Sequence, residues 1–411
     1  MVTREQRRAL GWAIGAVAAA ILVGAIVVVA MLAGQKPVGP GVVLQVQPNV
    51  KTGPTFSVLK MFVVNAGWAV AETTISSEVL LRTEHGPTTW QDVTPAVVRR
   101  QGGLLQVEVF DHSHAWLYKR HSMEIFRTSD GGNTWQSTPI VVAGEWASFS
   151  FVDPLRGWVL VTRENDAGVL LLHTTDGGAT WGQLVAAGSL SASHGLAGNG
   201  AVGGMAFTDL DHGWIVMASN LRPVATVLRT TDGGSDWIAI DLPIPEAYKG
   251  FSPGVSGPSF FNASNGVISV TFDLTQAGGQ THSDVIVYST RDAGLSWEPS
   301  TPLHDGFSTA EFINAKVGWA PADRGRIVYA TTDAGVTWQP TKTLVSIASG
   351  TPHYLNSATQ NWSATNLDFI DTQHGWAIAS FGSGVNEIPD KIFETHDGGE
   401  NWNRIDFSIT N

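Results

Sequence analysis

Thr128-Ser129-Asp130-Gly131-Gly132-Asn133-Thr134-Trp135 decides the fold, because it comes back. The frame Thr-x-Asp-Gly-Gly-x-x-Trp recurs at 174–181, 230–237 and 395–402, and with Ala for the first Gly at 290–297 and 331–338. A seventh copy, 83–90, keeps Thr and Trp but carries His85 for Asp and Pro87 for the second Gly. About 20–30 residues before each of these tryptophans lies a second signal, Phe-x-Asp-x-x-x-Gly-Trp or a decayed form of it. Its tryptophans are Trp68, Trp116, Trp158, Trp214, Trp319 and Trp376, with Val267 in the slot of the fifth repeat. Thirteen of the 16 tryptophans thus obey one frame, so the repeat and not chance composition places them. Seven units at a period of about 40–60 residues predict a single seven-bladed all-β propeller of four-stranded blades.

Each unit reads as four short strands. In the third, Ala147–Phe151 alternates small and aromatic residues, Asp153-Pro154-Leu155-Arg156 has turn composition, and 157–161 and 168–173 are further strands. The box follows, and Trp181 opens the fourth strand. A short Asp side chain accepts hydrogen bonds from nearby backbone N–H groups, and Gly supplies positive φ at little steric cost. The Trp covers the turn with an apolar ring whose N–H still finds an acceptor. Asp130, Asp176, Asp232, Asp292, Asp333 and Asp397 are therefore expected to be turn staples. Calcium needs several oxygen ligands at alternating positions, and each box offers one carboxylate. No metal or cofactor site is expected.

These boxes resemble the Asp-box, or bacterial neuraminidase, repeats. The pairing of Gly-Trp with the box is most similar to the propellers of the photosystem II assembly factor family. Sortilin-type ectodomains and some glycosidases share the box more loosely. The resemblance covers about residues 55–410. It implies the fold and leaves function open, because propellers serve as enzymes, receptors and scaffolds alike.

Residues 9–33 contain no charged side chain. Twenty-five residues make a helix of ~37 Å, against a hydrocarbon core of about 30 Å. Arg4, Arg7 and Arg8 precede the segment, and Lys36 is the one basic residue close behind it. The positive-inside rule then predicts a cytoplasmic N-terminus (1–8), a transmembrane signal-anchor (9–33), a Pro/Gly tether (34–42) and an extracytoplasmic propeller (43–411). The rival, a cleaved signal peptide, usually has a shorter apolar region. The expected location is the cell membrane, single-pass. The chain has no cysteine, so stability must come from packing. Beyond residue 40 it carries 20 Lys and Arg against 35 Asp and Glu, a net of −15, which argues against a nucleic-acid partner.

Strand 4-to-1 and strand 2-to-3 connections share one propeller face, and the box turns lie on the other. The long segments 185–203, 242–257, 272–284, 341–365 and 380–389 belong to the first face, where binding loops are expected. Hairpin tips there supply Arg120, Arg163, Arg222, Arg324 and Arg326, a candidate positive mouth for an anionic partner. Tyr118, Tyr248, Phe251, Tyr354 and Trp362 fall in or beside the same loops, where an aromatic side chain is able to stack on sugar or peptide. Sialidases need an Arg-Ile-Pro motif and a Tyr–Glu nucleophile pair. The motif is absent, and none of the five tyrosines has a partner by spacing. No Ser nucleophile elbow, Walker loop or zinc helix occurs. The expectation is a non-catalytic binding or assembly scaffold for a protein partner. The alternative is a glycan-binding or glycan-hydrolysing propeller.

Overall fold

The computed structural model describes residues 54–410 except 75–76, 102, 141–145, 163–168, 186–199, 220–222, 276–280, 307–308, 342–361 and 382–387. The expected cytoplasmic segment, membrane span and tether lie outside the described residues. Among the described residues no helix is long and apolar enough to cross a membrane.

The strands form seven sheets in sequence order, each built on four antiparallel strands. Blade 1 is β1 (Thr55–Val63), β2 (Ala66–Thr74), β3 (Ser77–Thr83) and β4 (Thr89–Asp92). Blade 2 is β5 (Leu105–Val109), β6 (Ala115–Lys119), β7 (Glu124–Thr128) and β8 (Gln136–Pro139). Blade 3 is β9 (Trp146–Phe151), β10 (Gly157–Thr162), β11 (Val169–Thr174) and β12 (Gly182–Val185). Blade 4 is β13 (Gly200–Phe207), β14 (Gly213–Ser219), β15 (Ala225–Thr230) and β16 (Ile238–Asp241). Blade 5 is β17 (Pro253–Phe260), β18 (Gly266–Thr275), β19 (Thr281–Thr290) and β20 (Glu298–Pro299). Blade 6 is β21 (Glu311–Phe312), β22 (Gly318–Ala322), β23 (Ile327–Thr331) and β24 (Gln339–Pro340). Blade 7 is β25 (Trp362–Phe369), β26 (Gly375–Phe381), β27 (Ile388–Thr395) and β28 (Asn403–Ile405). A last strand, β29 (Ser408–Thr410), joins blade 1.

The core is divided among the blade junctions. Seven apolar clusters each join two successive blades, the last joining blade 7 to blade 1. Middle strands are covered on both faces, so every residue of β14 is buried. This explains why such strands read as continuous apolar runs instead of alternating ones.

Four junctions use one device. Trp116, Trp158, Trp214 and Trp319 each stack on a Phe of the next blade: Phe151, Phe207, Phe260 and Phe369, with centroids 3.4–3.8 Å apart. Each indole N–H also donates to a box-turn carbonyl of that next blade: Gly177, Gly233, Ala293 and Gly398. The next blade's own box Trp meets the same Phe edge-on, as Trp181 meets Phe151 and Trp237 meets Phe207. One sandwiched Phe therefore ties two blades and two repeat motifs together.

The Gly of Gly-Trp makes room for that ring. Gly213 pairs with Phe207 across β13 and β14, and a Cβ there would fall 2.3 Å from the Phe207 ring. Blade 2 tests the rule from within the chain. There the paired residues are Val109 and Ala115, so a smaller partner accompanies the added methyl.

The ring closes differently. Trp376 of blade 7 is buried with its indole N–H unpaired, and Met61 stands in the Phe slot of blade 1. Asp368 takes over on the inside. Its Oδ2 accepts Met61 N–H at 2.5 Å and its Oδ1 lies 2.8 Å from Lys60 Nζ, which also reaches Glu311 Oε1 at 3.3 Å. Lys60, Glu108, Glu311 and Asp368 stand opposite Trp68, Trp116, Trp319 and Trp376, one level of the innermost strands. On the outside, β29 pairs parallel with β4.

Candidate functional site

The box carboxylates are spent locally. Asp176 Oδ1 accepts Thr174 Oγ1–H at 2.8 Å and Thr180 N–H at 2.8 Å, while Oδ2 accepts Thr180 Oγ1–H at 2.7 Å. Thr174 Oγ1 in turn accepts Gly178 N–H. Asp130, Asp232, Asp292, Asp333 and Asp397 capture the N–H four residues on in the same way. The reach is thus longer than a simple Asx turn. Hydrogen bonds, led by Thr180 Oγ1, hold the Asp176 carboxyl down at about 2. Gly177 and Gly178 take φ of 71° and 88°, and Ala293 and Ala334 adopt the same left-handed backbone at 64° and 68°. Each of these box carboxylates therefore faces its own turn.

On this box face, a recess of about 200 Å³ opens between blades 2 and 3. Its walls include His114, Trp116, Arg127, Thr134, Pro154 and Leu155. Arg127 stands opposite Trp116 in the β6–β7 register. Its Nη1 donates to Asp176 O at 3.3 Å and its Nη2 to Gln136 Oε1 at 2.6 Å, but its buried Nε–H has no partner. The equivalent Arg82 and Arg229 do place their Nε–H groups, on His112 O and Ala293 O. Leu155 is 58% exposed at the rim. The recess therefore combines an unspent guanidinium N–H with an apolar lip.

On the long-loop face, the structure assembles a cluster that spacing did not reveal. Asp284 is buried, and its Oδ2 accepts Tyr248 Oη–H at 2.7 Å and pairs with His304 Nδ1 at 3.1 Å. Its Oδ1 has no hydrogen-bond partner and lies 4.0 Å from His282 Nε2. Burial, then the bond to Asp284, pushes the Tyr248 hydroxyl well above its ordinary value. Alongside, the β22–β23 turn docks on the blade 5–6 connection, with Asp323 N–H on His304 O and Arg324 N–H on Asp305 O. Asp305, Asp323 and Arg324 all hold positive φ, a costly backbone for side-chain-bearing residues. Asp284 and His304 come from different segments, and neither sits in a repeat slot, so no sequence signal marked them.

Arg324 and Arg326 share the blade 6 hairpin tip, exposed, with Arg324 Nε 3.8 Å from Asp305 Oδ2. Arg120 follows β6 of blade 2, so the ring sets it apart from them. Arg163, Arg222 and Tyr354 lie outside the described residues, and Trp362 opens β25. Tyr118 and Tyr248 are buried and donate their hydroxyls to Ser122 O and Asp284, so neither offers a stacking face. His114, His212 and His374 each pair with an Asp three residues earlier, within the strand 1–2 turns.

No family model and no curated protein matches the chain. Solved structures do. YCF48 from Cyanidioschyzon merolae matches at 14% identity and a TM-score of 0.50, over 84% of this chain and 97% of that one. YCF48 bound to D1 peptide matches at 18% identity and 0.45, over 72% and 80%. The polysaccharide lyase Uly1 matches at 9% identity and 0.50, over 89% and 93%. Likeness at these identities shows the propeller fold alone.

Proposed function

We propose that the protein is a non-catalytic scaffold that holds a segment of a partner protein, carried at the cell surface by its N-terminal anchor. The observation that carries this reading is the Arg127 recess. A buried guanidinium N–H left without an acceptor calls for one, and a carboxylate is the strongest acceptor a protein segment brings. Pro154 and Leu155 supply the apolar contact beside it. The net negative charge of the chain makes a local positive site selective for such a segment over a general polyanion. The hairpin arginines Arg120, Arg163, Arg222, Arg324 and Arg326, with Tyr354 and Trp362, are the second candidate set against which the reading is tested.

The experiment is cross-linking and pull-down of the full chain from membranes of its source cell. Arg127→Ala is compared with the triple change of Arg163, Arg222 and Arg324 to Ala. Loss of one partner with Arg127→Ala alone, in a folded domain, supports the recess. Loss with the triple variant alone moves the site to the long-loop face. The glycan reading is tested in parallel with a sialoside and polysaccharide panel. Turnover abolished by Asp284→Asn would replace the scaffold by an enzyme built on the Asp284–His304 pair.

A further inference from the structure

Among the described residues six blades end at their fourth strand, and blade 1 carries a fifth. In β29, Ser408, Ile409 and Thr410 pair parallel with Thr89, Trp90 and Gln91. Two bonds add to this three-residue ladder. Ser408 N–H donates to Thr88 O at 2.9 Å and Thr410 Oγ1–H to Trp90 O at 3.2 Å. Phe407 meets Phe56 edge-on at 4.9 Å, and Phe407 and Ile409 pack on the cluster of Trp90, Leu81 and Ile405.

Blade 1 also has the one turn without the box Asp. Elsewhere that Asp captures the N–H four residues on. Here Thr89 N–H turns to Gly86 O at 3.4 Å and Thr88 O receives Ser408 N–H, while Trp90 Nε1–H keeps on Pro87 O the bond that Trp237 and Trp297 make to Gly234 O and Gly294 O. The decayed motif and the added strand thus meet at one turn.

We propose that the outer edge of blade 1 is a strand-accepting site for an extended partner segment with an aromatic residue and an aliphatic one two places on, which the chain's own Phe407-Ser408-Ile409 fills until that segment arrives. Alternate side chains of a strand face one side, so this spacing seats both residues in the same apolar groove. Exposed sheet edges recruit strands through main-chain bonds, with side-chain pockets giving specificity. A parallel pairing is the weaker kind per residue, and here it is three residues long. Displacing it leaves the ring closed, because the Asp368 bonds to Met61 and Lys60 join blades 7 and 1 independently. The site is separate from the Arg127 recess and does not depend on it.

The test uses the full chain, which has no cysteine of its own. Gln91→Cys with Thr410→Cys, register partners, allows β29 to be locked by oxidation. The probe is a fluorescent peptide Asp-Phe-Ser-Ile-Thr-Asn, with a version lacking the Phe and Ile as control. Anisotropy should show saturable binding to the reduced form, weakened about tenfold or more by oxidation and restored by reduction. Ile409→Ser, which loosens the chain's own strand, should bind the peptide more tightly than wild type. Equal binding by both redox forms overturns the proposal. So does absence of saturable binding to a folded Ile409→Ser variant. Neither outcome touches Arg127, so this proposal and the scaffold reading fail separately.

Discussion

The ammonium of Lys60 lies 2.8 Å from Asp368 Oδ1, across the junction where the last blade meets the first. The carboxylate is 2% exposed and the lysine 41%, so one partner is deeply enclosed and the other stays partly open to solvent. Burial opposes the lysine's charge, yet Glu311 and Asp368 together hold its pKa above the ordinary value. Ser150 occupies the equivalent register position in blade 3, and its hydroxyl accepts Phe207 N–H at 2.8 Å. The closing junction thus uses an ion pair where an ordinary junction makes do with a neutral hydroxyl.

Asp368→Ala should therefore cost more than Ser150→Ala. The change leaves the buried Met61 N–H without its charged acceptor and Lys60, partly exposed, with Glu311 alone, a loss of roughly 2–3 kcal/mol against ~1 kcal/mol for a lost neutral hydrogen bond. Urea unfolding of the two variants measures the difference. Equal losses would mean the pair adds nothing at the closure.

Burial pushes the Glu108 carboxyl from 4.5 up to about 8, against the pull of Lys60. Between those values the unfolded chain is ionised at this position while the folded chain keeps its proton. Stability contributed by this group therefore falls as pH rises through the window. Glu108→Gln should flatten the profile and exceed wild type above pH 8. The gain is ~1–3 kcal/mol, since each pKa unit is worth about 1.4 kcal/mol and the side chain is partly exposed. Melting curves from pH 5 to 9 decide it; parallel profiles would refute the assignment.

Gly213→Ala should destabilise by ~1–3 kcal/mol, because the new methyl overlaps the Phe207 ring. Phe207→Val in the same chain reproduces the Val109–Ala115 pairing of blade 2. The double variant should fall short of the sum of the single losses by ~1 kcal/mol or more. A double-mutant cycle with no coupling would show that the Gly is kept for another reason.

Asp176→Ala removes the acceptor of Thr180 N–H and Thr180 Oγ1–H, both exposed, and should cost ~1 kcal/mol. Asp176 borders the Arg127 recess, so partner capture is compared with Asp333→Ala in the equivalent turn of blade 6, where it should be unchanged once the domain is folded. An unchanged melting temperature with lost capture would make this box part of a binding surface.

The repeat was legible because its chemistry is local. The box bonds span four residues and the Phe–Gly pairing spans one hairpin, so a short window of sequence contains both partners. The long-loop arginines were less legible as a site. A mouth requires their tips to converge, and blade positions put Arg120 apart from Arg324 and Arg326. Tyr118 and Tyr248 read as loop aromatics because nothing in their neighbourhoods shows the blade that buries them.

By itself, the sequence determined that there are seven blades, where each turns, and which residues hold the turns, since these depend on contacts a few residues apart. Tertiary structure alone decided how the ring closes. Lys60 and Asp368 are 308 residues apart, and only the return of blade 7 to blade 1 sets an acid beside that lysine. The same holds for Asp284 and His304, and for the unpaired Nε–H of Arg127, whose partners or lack of them are fixed by a neighbouring element. Repetition encodes the units. The meeting of units is set by geometry summed around the whole ring, which no single repeat contains.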